Sequence, residues 1–216
     1  MISKSSLVFL VNTSIILINL LLNTSCFYGK SKLVFVISKI LIVPLIAFIN
    51  KPKTINFYVV FLLFSWLGDI ALLFRHELFC VVGSLFFLVG HLYYAKFISP
   101  HSLKITTFSV ILFIPPLSII LFKVIPDIFK AKFIYHLSIF YIAILLRTML
   151  KSTQIYQHSS PFNRNFWFNY IGYFCFIVSD SILLVNEALQ KMNGMVNFYV
   201  LLFYALSQFL IALSQK

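Results

Sequence analysis

Charge is what this sequence has least of. Only five of its 216 residues are acidic, and Asp, Glu, Lys and Arg together make up 10% of the chain, where a soluble domain carries about 25%. A water-soluble fold of this size would have almost nothing with which to cover its surface. That excludes an ordinary cytosolic enzyme, a nucleic-acid-binding domain and a disordered chain. Cysteine is also scarce: Cys26, Cys80 and Cys175 lie far apart and form no C-x-x-C, so they read as small apolar residues with no disulfide or metal implied. Several catalytic signatures are missing as well. Gly83-Ser84 lacks the second glycine of a nucleophile elbow. His76-Glu77 is followed by Leu-Phe-Cys and is no zincin motif. Neither a P-loop nor a dinucleotide fingerprint is present, which leaves carboxylate chemistry, with His91 or Tyr94 as candidate assistants.

What the sequence has in abundance is apolar length. Hydrophobic residues make up 61% of it and its mean hydropathy is +1.00. About eight apolar runs approach the length of a membrane-spanning helix: 6–22, 33–49, 55–74, 78–98, 105–125, 133–150, 166–185 and 196–213. The breaks carry loop chemistry, as in Asn50-Lys-Pro-Lys53 and Ser159-Ser-Pro-Phe-Asn-Arg164. None is long enough for a soluble domain, so residues 1–216 read as a single integral membrane domain. The expected fold is all-α, a polytopic bundle of about eight transmembrane helices.

The net charge of +12 fits this reading. Most Lys and Arg sit between the apolar runs, where they meet lipid headgroups; lipids, and no nucleic acid, are the expected partners. Eight spans put both termini on one side. The loop Lys and Arg divide almost evenly between the two sides, and the expectation is cytoplasmic termini in the plasma or inner membrane. Lys4, the following apolar run and Asn23-Thr-Ser-Cys26 have the outline of a signal peptide. Asn23, however, stands where a lipoprotein signal wants an aliphatic residue, and Asn12, Asn19 and Asn23 share one helical face. An uncleaved first helix is expected. Gly68-Asp-Ile-Ala-Leu-Leu73 is echoed by Ser179-Asp-Ser-Ile-Leu-Leu184 about half a chain later, a weak hint of a four-plus-four parallel repeat.

An ionisable group deep in a span is costly and calls for a reason. Glu77, Asp127 and Glu187 fall in or beside loops and read as solvated surface. Asp69 and Asp180 do not: each lies inside its span, at similar depth on the same side if the two helices run parallel. Lys39, in a span of opposite direction, sits near that depth. Two readings fit Lys39, either snorkelling to the interface or pairing with Asp69. Asp69 has a structural alternative too, a bond to Ser65 one turn earlier. His91 shares a face with Ser84 and Tyr94, Asn169 and Tyr173 share one with Asp180, and Tyr204 lies one turn from Gln208. Helix–helix hydrogen bonding explains these polar residues as readily as a functional cavity does. Pro115-Pro116 should kink its span.

Phe64-Ser-Trp-Leu-Gly-Asp-Ile-Ala-Leu-Leu73 resembles the third span of the YhhN family, the lysoplasmalogenase-like membrane proteins. Phe86-Phe-Leu-Val-Gly-His-Leu-Tyr-Tyr94 is similar to the fourth span, Phe176-Ile-Val-Ser-Asp-Ser-Ile-Leu-Leu184 to the seventh and Tyr204-Ala-Leu-Ser-Gln208 to the last. Lys39 resembles the family's second-span lysine, which is often followed directly by proline; here Ile40 follows, with Pro44 beyond. The resemblance implies an eight-helix membrane protein that cleaves the vinyl ether bond of lysoplasmalogens, releasing a fatty aldehyde and a glycerophospho-ethanolamine or -choline. Asp69 and Asp180 would supply acid and anion, much as paired carboxylates serve glycosidases. Lys39, His91, Tyr94, Tyr173, Tyr204 and Gln208 would bind or support the substrate, a single-chain glycerophospholipid, with no metal or organic cofactor. Two readings of other classes compete: a lipid-binding or lipid-transporting protein with the same cavity, and a proton-coupled transporter of small solutes.

Overall fold

Where lipid is the solvent, each backbone N–H and C=O must be satisfied within its own segment, so long apolar runs become helices. The computed structural model describes residues 31–50, 57–74, 76–98, 107–129, 136, 138–152, 164–191 and 194–215. Among these residues the regular structure is helical and forms seven helices: α1 (Ser31–Asn50), α2 (Phe57–Leu72), α3 (Glu77–Ile98), α4, α5 (Ser138–Ser152), α6 (Arg164–Ala188) and α7 (Gly194–Leu213). Helix α4 is composite, with Thr107–Ile119 leading through a π-helical turn, Ile120–Val124, into a final turn, Ile125–Phe129. Four stretches are long and apolar enough to cross a membrane: Glu77–Ile98, Val110–Phe129, Arg164–Ala188 and Met195–Leu213. These are the marks of a multi-pass membrane protein. The run at 6–22, with Asn12, Asn19, Asn23 and Cys26, lies outside the described residues, as do most of the loops. The structure therefore shows neither a count of eight spans nor a repeat.

The most intimate pairings are the hairpins α2–α3 and α6–α7, and small residues let their backbones approach. A Cβ on Gly68 would lie 2.7 Å from the ring of Phe87, and one on Gly172 would lie 3.0 Å from the Ile211 amide. The bundle core is apolar and aromatic, with Phe61, Phe166, Phe176 and Ile211 fully buried. The outer faces are equally apolar, Phe122 being 82% and Phe140 70% exposed, as suits a surface wetted by lipid tails.

Two proline positions explain how the helices lock together. A proline has no N–H for the carbonyl four residues before it. Pro116 thus frees the carbonyl of Leu112, and the Tyr170 hydroxyl of α6 donates to that oxygen at 2.7 Å. Pro44 frees the carbonyl of Ile40, and the Trp66 indole of α2 donates to it at 3.0 Å. In α4 the helix also runs four residues past the expected end at 125. Past the proline pair it slips into π register, with the Ile125 N–H bonded to the Ile120 carbonyl five residues back. This places Asp127 inside a helix. Read from the sequence as solvated surface, Asp127 is instead 6% exposed, with the Lys123 ammonium 2.9 Å from its carboxylate one turn earlier.

Candidate functional site

The Pro44–Trp66 contact sets the geometry of the polar centre. Ile40, whose carbonyl it engages, adjoins Lys39; Trp66 precedes Asp69 by about one helical turn. Locking α1 to α2 at this level lays Lys39 Nζ 3.8 Å from Asp69 Oδ1, with the side chains only 8% and 2% exposed. Lys39 is therefore directed inward and does not snorkel. On its other oxygen, Oδ2, Asp69 accepts a hydrogen bond from the Tyr204 hydroxyl of α7 at 2.6 Å. Ser65 Oγ has no hydrogen-bond partner, so the alternative bond from Ser65 to Asp69 is not formed; Tyr204 and Lys39 occupy Asp69 instead.

Asp180 is positioned from a different direction. Its neighbour Ser179 donates to the Val200 carbonyl of α7 at 2.9 Å, which seats this turn of α6 against α7. The Tyr141 hydroxyl of α5 donates to Asp180 Oδ2. Asp69 and Asp180 then border one cavity together with Lys39, Ser179 and Tyr204; Leu72, Phe87, Leu183, Val200 and Leu201 form its apolar wall. The space between these side chains, counted together with the solvent it opens onto, is about 320 Å³.

The other residues singled out from the sequence do not line this cavity. His91 lies further along the bundle: its Nδ1 shares a hydrogen bond with the Tyr173 hydroxyl, and its ring stands edge-on to Phe176 with centroids 4.6 Å apart. The Tyr94 ring stacks on Tyr173 at 5.7 Å, and its hydroxyl accepts a hydrogen bond from the Asn169 amide. Gln208 is fully buried one turn beyond Tyr204. Ser84 turns back to the Cys80 carbonyl of its own helix at 2.9 Å.

Tyr141 was missed by the sequence reading, although a signal for it exists. Ser138, Tyr141, Thr148 and Ser152 are all buried in α5 and recur at three-, seven- and four-residue steps, a polar stripe on one helical face. Trp66 was missed because its partner is a carbonyl that only the folded Pro44 helix exposes. Among the described residues no three His, Cys, Asp or Glu side chains gather as a metal site would require.

The chain matches the family model of the YhhN family over residues 31–215. No curated protein and no solved structure matches it.

Proposed function

Because the chain belongs to the YhhN family, a family of lysoplasmalogenase-like membrane proteins, we propose that it is an intramembrane ether hydrolase acting on lysoplasmalogens. The observation that carries this reading is the inequality of two carboxyls on one cavity. Each accepts a tyrosine hydroxyl, Tyr204 on Asp69 and Tyr141 on Asp180, but Lys39 pairs with Asp69. Like charges that share a site do not both ionise cheaply. Asp69, held by an ammonium, serves as the anion, and Asp180 serves as the acid. Tyr141 occupies Asp180 Oδ2, so the transferable proton sits on Oδ1.

The chemistry then runs without a covalent enzyme nucleophile. Asp180 protonates the β-carbon of the vinyl ether, converting the C=C–O unit to an oxocarbenium ion. The Asp69 carboxylate stabilises that positive charge, as preorganised charge in a dry site does best. Water adds to the carbon bearing the ether oxygen and gives up a proton to a carboxylate. The resulting hemiacetal collapses to the fatty aldehyde and the free glycerol hydroxyl of the glycerophospho-headgroup, so one water is consumed per bond broken. A lipid substrate suits the setting: the apolar wall of the cavity and the exposed apolar outer faces let the tail stay in the bilayer.

The test is purified protein with lysoplasmalogen in detergent or nanodiscs, with aldehyde release as readout. Turnover of the vinyl ether and none of its saturated alkyl analogue is expected, because a saturated ether cannot be protonated at carbon. Equal turnover of a lysophospholipid ester would mean esterase chemistry. Tight binding with no aldehyde would mean a lipid carrier.

A further inference from the structure

Away from the aspartates, the polar interior continues toward the opposite end of the bundle. Ser65 lies one turn from Asp69, and Gln208 one turn from Tyr204. His91 and Tyr173 follow, and then Tyr94 and Asn169, the last about 16 Å of helix rise from Asp180. Asn169 Nδ2 reaches Ser214 Oγ at 3.3 Å, and Gln215 Nε2 lies 3.5 Å from the Tyr94 hydroxyl. Ser214 and Gln215 are themselves partly exposed, so this string begins at the surface.

The string is also where satisfied hydrogen bonding fails. Ser65 Oγ, His91 Nε2, Asn169 Oδ1 and both amide atoms of Gln208 are buried with no well-formed hydrogen bond, although Gln208 lies alongside the Tyr204 hydroxyl. All four residues are at most 1% exposed. Asp127 Oδ2 is the other such atom among the described residues, and it has its Lys123 ion pair. Buried polar atoms are normally paired, with ordered water where protein supplies no partner. Water suits this set because a hydroxyl, an imidazole nitrogen and both ends of an amide each need a different role, and water both donates and accepts. The flanking rings of Phe61, 5.5 Å from His91 between centroids, and of Phe176 make the space narrow.

We propose that these atoms hold a file of internal waters leading from the Ser214–Gln215 end of the bundle to the aspartate cavity. Resting on the hydrolase reading above, we also assign to this file the supply of the water consumed in the reaction. A lipid seated in the cavity covers its mouth, and the file gives the attacking water a separate way in. The string reaches the cavity at Asp69 and Tyr204, which lie one helical turn from Ser65 and Gln208.

Hydroxyl-radical footprinting of the full chain in nanodiscs, without lipid substrate, tests the file itself. Radicals formed from water beside the string oxidise Tyr94 and Tyr173, although both side chains are 0% exposed. We expect both to be oxidised at rates within several-fold of Tyr199, which is 43% exposed, with ¹⁸O taken up from labelled bulk water. Oxidation of both at the level of the unirradiated control overturns the file, whatever the enzyme does. The supply role is tested with Gln208→Leu, and with Gln208→Ser as a smaller polar replacement. A several-fold fall in kcat at unchanged KM in Gln208→Leu, largely restored in Gln208→Ser, supports it. Equal kcat in all three proteins, or a change in KM alone, overturns it. A wild-type protein that releases no aldehyde yet oxidises Tyr94 and Tyr173 removes the hydrolase reading and supports the file.

Discussion

At the end of the bundle that holds Asp69 and Asp180, each carboxyl has fixed partners: the Tyr204 hydroxyl and the Lys39 ion pair on the first, the Tyr141 hydroxyl on the second. From one to three turns away the side chains are neutral, and Ser65, His91, Asn169 and Gln208 each leave an atom with no well-formed hydrogen bond. The difference follows from cost. A buried carboxylate without partners is far more expensive than a buried amide or hydroxyl, so the charged end has been given protein partners held by three different helices, α1, α5 and α7. The neutral end tolerates looser satisfaction, which mobile water can supply. Rigid chemistry and wet access are thus separated along one axis of the same bundle.

Asp180→Asn should have the largest effect. Asn is nearly isosteric but delivers no proton to carbon, and general acid catalysis is worth about 10²–10⁴-fold. Aldehyde release per folded molecule should fall by that order, while circular dichroism shows the helices intact. Unchanged turnover would move the acid role elsewhere.

Lys39→Met comes next and acts on stability. It leaves Asp69 as a buried charge without its cation, and breaking a buried pair costs about 3–5 kcal/mol. The double variant Lys39→Met with Asp69→Asn should recover most of that loss in a denaturation series yet stay inactive. Failure to recover would show that Lys39 supports the fold by some contact other than Asp69.

Trp66→Phe should have a smaller effect. It keeps the ring but removes the donor to the Ile40 carbonyl, and an unsatisfied buried acceptor costs about 1–3 kcal/mol. Turnover should also fall, because Lys39 loses the lock that sets its level. Restoring the missing backbone donor with Pro44→Ala should rescue much of the stability in the double variant, which separates this bond from ring packing.

At the far end of the scale, Phe122→Ala changes a residue 82% exposed on the outer face. Surface substitutions of this kind stay within about 0.5 kcal/mol, and neither the melting temperature nor turnover should move. A clear loss would mean that this face is covered by another part of the protein or by a second molecule.

The limits of legibility fall along the same division. Asp69 and Asp180 stood out because charge in an apolar run is rare and expensive, a signal that needs no structure. Tyr141 and Trp66 did not, because tyrosine and tryptophan are common in membrane helices and reveal a role only through the atom they meet. Asp127 was misplaced because the span was ended at residue 125, just before Pro126, whereas the helix continues through that proline to Phe129. His91 and Tyr94 were singled out with the aspartates, but the fold sets them along the string instead of in the cavity wall.

By itself the sequence determined that the chain is helical, that it belongs in a membrane and which few side chains carry charge into it. Those properties are local: they depend on the run of residues and on a solvent that cannot hydrogen-bond the backbone. Only the tertiary structure decided that Lys39 meets Asp69 while Asp180 meets Tyr141, and that both carboxyls open on one cavity. Helix rotation and neighbour order set those pairings. In lipid the inward and outward faces of a helix are almost equally apolar, as Phe176 inside and Phe122 outside illustrate, so periodicity carries little record of which way a helix turns.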